Sequence, residues 1–167
     1  MSGPVESGQT RMGRVFGAGD QVLLLKAAES PMLNVRSALP SVHHIGLCDA
    51  TIDAFAASAG EAFAYREYGF LISSLIKLEL ASTEDKKRIT ALEKFRKALQ
   101  SAKAKTSIVK AINQHRELFP PELFKDPYLQ LNYVLRLFRS AFATSPTSED
   151  SAVLVQAMVY GNFDDNS

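Results

Sequence analysis

Residue types able to hold a metal or activate a nucleophile crowd into one short stretch of this 167-residue chain: His43, His44, Cys48, Asp49 and Asp53. His44 and Cys48 stand four apart, as do Asp49 and Asp53. That spacing puts each pair on one helix face, and imidazole with thiolate is ordinary zinc chemistry. A tetrahedral site needs further ligands, yet His115 is the only other histidine and Cys48 the only cysteine. The plainer reading makes Cys48 a small buried apolar residue and Asp49 a helix cap. Nucleophile elbows and zinc-protease motifs are missing, and Gly13, Gly17 and Gly19 neither follow a strand nor precede a Lys-Ser/Thr pair. The sequence therefore assigns no catalytic residue, no metal and no cofactor.

The second chemical feature is positive charge. Lys86, Lys87, Lys94, Lys97 and Lys105 fall within about a third of a helical circumference, at about 100° per residue. Arg96, Lys103, Lys110 and Arg116 widen the patch. Such a face can displace counterions from a phosphate backbone, so these five lysines are the candidate site for nucleic acid or another anionic partner. No aromatic residues interleave with them for stacking bases, and the excess of lysine over arginine suits backbone contact more than base reading. A third feature is apolar: Phe119, Leu123 and Phe124 flank the Pro120-Pro121 pair and are the candidate contact for a partner helix.

The elements that must position these groups read as helices. From Ser82 to Lys105, Ile89, Leu92, Phe95, Leu99 and Ala102 recur at three and four residues, with Ser82 or Thr83 as the expected cap. Asp49 opens a second helix, alanine-rich and expected to break at Gly69. A buried segment follows it to Leu80. Thr106 or Ser107 starts another, ended by Pro120, and Asp126-Pro127 is a strong opening for a helix through Ala143. Asp20 is read as the cap of a short helix to Glu29, and Ser41 to Leu47 as a loop or one helical turn. Ser148 to Tyr160 fits helix or strand, and Ser148 and Glu149 tilt it to helix.

Composition supports a globular chain, 46% apolar and 22% charged. The net charge of +1 conceals a +6 block from 82 to 119 between a −3 block at 49–81 and a −4 block at 144–167. Acidic neighbours could therefore neutralise the basic helix internally. A lone cysteine, no signal-peptide pattern and no apolar run near the roughly 20 residues of a membrane span imply an intracellular, cytoplasmic protein with no membrane span.

Together these readings give an all-α fold: a compact bundle of five to seven helices over residues 20–160, with a flexible arm at 1–19 and a short acidic tail at 161–167. The function they favour is a non-enzymatic helical binding or assembly module, structural, adaptor or regulatory, with a protein partner or self-association. A nucleic-acid-associated protein using the basic face of 86–105 is the alternative. A small helical enzyme or metal-binding protein around His43, His44 and Cys48 ranks below both.

Overall fold

The computed structural model describes residues 15–19, 22–30, 39–143 and 152–158. Among them are five α-helices and five short strands. The expected helical bundle is present, but the fold is not all-α.

Two strands, β1 (Val15–Phe16) and β2 (Val22–Leu23), pair in parallel. A three-stranded antiparallel sheet has the order β4-β3-β5, from β3 (Leu25–Glu29), β4 (Val42–Ile45) and β5 (Val153–Ala157). Leu25 faces Ala157 and Glu29 faces Val153 in one ladder, while Leu25 faces Ile45 in the other, where a register shift interrupts the pairing. Three expectations are corrected here: a helix at 20–29, a loop or single helical turn at 41–47, and the tilt toward helix, over the strand alternative, at 148–160. The segment from Asp20 to Glu29 contains β2 and β3, because Val22, Leu23, Leu24 and Leu25 are all buried, which no single helical stripe allows. Ser41 to Leu47 holds β4. In the 148–160 segment, the described residues form β5, whose exposure alternates strictly along the strand.

The helices follow. α1 (Ile52–Ala59) and α2 (Glu61–Leu80) are separated at Gly60, whose φ of 100° ends one helix and begins the next. The expected break at Gly69 is absent, and α2 runs through it. α3 (Lys86–Ser101) is capped by Asp85, which accepts from the Lys87 and Arg88 amides at 3.0 and 3.4 Å, one turn later than Ser82 or Thr83. A break at 102–104 leads into α4 (Lys105–His115), where the Ser107 hydroxyl accepts from the Ala104 amide. Two 3₁₀ turns, Arg116–Leu118 and Pro121–Phe124, precede α5 (Pro127–Ala143). Asp126 caps α5, accepting from Tyr128 and Leu129 as its sequence indicates.

Helix α2 is the hub of the packing. It touches α1, α3, α4, α5 and β4, and it buries Leu71, Ile72, Leu75, Ile76 and Leu78. The buried apolar side chains form one continuous core that extends onto the sheet. Among the described residues, no helix is long and apolar enough to cross a membrane. Most of the 1–19 arm and all of the 161–167 tail lie outside the described residues.

Candidate functional site

The His43–Asp53 cluster is dispersed by the fold. His43 bonds Ser41 at 3.0 Å, and His44, at the end of β4, turns back with φ of 65° so that its Nε2 lies 3.0 Å from Glu67 on α2. Burial pushes the His44 pKa down to about 4, with His43 adding to the effect, and burial raises that of Glu67. Burial thus outweighs the carboxylate, and at neutral pH the contact is a neutral imidazole donating Nε2–H to Glu67. Cys48 is buried against Thr51, with its thiol pKa raised by burial. Among the described residues, no group of three His, Cys, Asp or Glu is placed to hold a metal.

The turn after β4 is held by one side chain that sequence reasoning passed over. Gln130, fully buried on α5, accepts from the Gly46 amide at 2.7 Å and donates to the Leu47 and Leu123 carbonyls at 2.8 and 3.0 Å. Its signal was readable. A glutamine within the apolar stripe Pro127, Gln130, Leu131, Val134 must find partners in the core.

Asp49 and Asp53 meet different partners, around a cavity of about 260 Å³ between α1, α2 and α4. Arg116 donates to both oxygens of Asp49, at 2.7 and 3.0 Å, and its guanidinium stacks over Phe124 with 4.7 Å to the ring centroid. The Tyr65 hydroxyl donates to Asp53 at 3.4 Å. Ile52, Val109 and Ile112 supply the apolar wall, and Asn113 and Tyr68 complete the lining. Tyr68 is 3% exposed, and neither its hydroxyl nor the buried Nε of Arg116 has a hydrogen-bond partner among the described residues.

The basic patch is split. Lys86, Lys87, Lys94 and Lys97 are exposed on α3, whereas Lys105 opens α4, where it pairs with Glu61 at 3.1 Å and lies over the Tyr65 ring. Arg88 turns inward: it pairs with Glu79 and donates to the Leu118 carbonyl at 2.7 Å, while Tyr133 donates to the same Glu79. The −3 block thus neutralises part of the basic one. Phe119, Leu123 and Phe124 are 3%, 1% and 0% exposed and pack into the chain's own core.

Comparison with known proteins bears on the class. The chain is 34% identical over 149 residues to the pyruvate, phosphate dikinase of Treponema pallidum, covering 84% of this chain and 16% of that protein. It resembles a segment of an enzyme. A second pyruvate, phosphate dikinase, from Entamoeba histolytica, is 26% identical over 180 aligned positions, covering 95% of this chain and 20% of that protein. The chain therefore spans about a fifth or less of the length of the curated relatives it matches. No family model matches it. These similarities overturn the expectation of a non-enzymatic binding, adaptor or structural module. The charge and helix periodicity behind those readings are shared by enzymes and binding proteins alike.

Proposed function

We propose that this chain forms part of a phosphoryl-transfer enzyme of the pyruvate, phosphate dikinase kind, acting on pyruvate and phosphate as one portion of a larger catalytic unit. The observation that carries the reading is the 34% identity sustained over 84% of the chain, a share too large to leave out most of its helices. Phosphoryl transfer is catalysed chiefly by positioning and electrostatic stabilisation, so a segment of such an enzyme can be rich in scaffold and poor in nucleophiles. The described residues have a scaffold's character: a packed core around α2 and buried polar groups that fix turns. The exposed lysines of α3 add a positive surface that favours the approach of anionic substrates.

The test is phosphorus NMR of the full-length protein supplied with pyruvate, orthophosphate and a nucleoside triphosphate as donor. New phosphoryl species that form only when both pyruvate and orthophosphate are present are expected. A folded protein that transfers phosphoryl groups to neither compound would overturn the reading.

A further inference from the structure

Between the middle of α2 and the break at 102–104 that leads from α3 into α4 lies an open pocket of about 330 Å³. One wall is an aromatic side chain that the core leaves out. Phe70 lines the pocket and is 54% exposed, whereas Leu71 and Ile72 beside it on α2 are fully buried. Leu99 and Ala102 continue the apolar lining.

Two cations, Arg66 and Lys103, line the same pocket, and both are exposed. Arg66 meets Glu67 through Nε alone, at 3.4 Å, and lies over the Phe63 ring, so its terminal amino groups keep their hydrogen-bonding capacity. Lys103 has no ion pair among the described residues. No carboxylate among the described residues lines the pocket, in contrast to Lys105, which Glu61 neutralises.

Charge and size narrow the occupant. A cation meets two like charges. A neutral apolar molecule covers Phe70 but strips water from the guanidinium and the ammonium without replacing its hydrogen bonds. A small inorganic anion pairs with the cations and leaves Phe70 in water. An anion with an apolar body does both, its carboxylate accepting from Arg66, Lys103 and the exposed Gln100 amide. The volume lies at the lower end of the roughly 300–1,000 Å³ of small-molecule pockets, which suits one compact ligand more than a partner's helix or strand.

We propose that this pocket binds a small amphiphilic carboxylate, with its carboxylate between Arg66 and Lys103 and its apolar body over Phe70, Leu99 and Ala102. The site goes beyond the phosphoryl-transfer reading and does not depend on it.

The test is saturation-transfer and chemical-shift NMR of the full-length protein with 3-phenylpropanoate and octanoate, which separate an aromatic from an aliphatic body. Saturable binding of at least one is expected, with shifts centred on Arg66, Phe70, Gln100 and Lys103. The uncharged alcohol of the same body, 3-phenylpropan-1-ol or octan-1-ol, should bind about fivefold more weakly, because the contacts it loses are charge pairs at an exposed site. Acetate, which lacks the body, should not displace the probe at equal concentration. Lys103→Gln and Phe70→Ala both change exposed side chains, so the fold survives them, and each should weaken binding about threefold. The proposal is overturned if neither carboxylate binds saturably, if the shifts map elsewhere, if the alcohol binds as tightly as its carboxylate, if acetate displaces the probe at equal concentration, or if both variants bind as well as the parent.

Discussion

The turn after β4 and the cavity beside α2 both bury polar groups, and they do so in opposite ways. At the turn, Gln130 bonds the Gly46 amide and the Leu47 and Leu123 carbonyls, so that strand, turn and 3₁₀ segment are joined. At the cavity, the Tyr68 hydroxyl and Arg116 Nε–H have no such partners among the described residues. Buried groups with complete partners raise the free energy needed to unfold the chain, while groups that lack them lower it and persist where something else selects them. The turn is thus a device of the fold, and the unpaired hydroxyl and Nε–H beside α2 contribute nothing comparable to it.

Perturbing the paired groups should be costly. Gly46 has φ of 117°, and a Cβ there would approach the Phe16 ring to 3.0 Å and the Leu23 carbonyl to 3.3 Å. Gly46→Ala should therefore destabilise by about 2–4 kcal/mol in urea unfolding. A loss below about 1 kcal/mol would show that the turn yields.

Arg88→Met comes next. It strips Glu79, whose side chain is 9% exposed, of its cationic partner and leaves the Leu118 carbonyl without its donor. Tyr133 still donates to Glu79, so a loss of about 2–3 kcal/mol is expected, to be read by the same denaturant titration.

His44 gives a smaller, pH-dependent effect. Its folded pKa of about 4 lies below the ordinary 6.5, so between these values the unfolded chain binds the proton that the folded chain refuses. Stability therefore falls as pH drops through that window and levels off below it. His43, its pKa also lowered, acts in the same direction, whereas Glu67, its pKa raised, acts in the opposite one. His44→Asn tolerates the positive φ and removes only the first contribution. It should flatten the fall between pH 6 and 4.5, by at most about 1.4 kcal/mol per pH unit. An unchanged slope would mean that His44 is protonated as readily in the fold as outside it.

Local pattern made α3 and α5 legible: Leu92, Phe95 and Leu99 are buried at helical spacing, and Asp126-Pro127 opens α5 as its chemistry requires. The sheet was not legible, because β3 is specified by pairing with β5, more than a hundred residues away, and a short apolar run carries no mark of a partner that distant. The lysine patch shows the same limit, since the break at 102–104 moves Lys105 onto α4 and toward Glu61. Asp49 was read as a cap, and its bond to Arg116, 67 positions on, is again a product of tertiary structure. Gln130 alone carried a signal that local reasoning could have used.

The contrast between turn and cavity is tested most directly by urea unfolding of Gln130→Leu and Tyr68→Phe side by side, each nearly isosteric with the residue it replaces. Gln130→Leu leaves one amide and two carbonyls buried without their partner and should lose about 2–4 kcal/mol. Tyr68→Phe removes a hydroxyl with no hydrogen-bond partner among the described residues and should lose less than about 0.5 kcal/mol or gain slightly. Equal losses in the two variants would contradict the account, because the Tyr68 hydroxyl would then be holding the fold as Gln130 does.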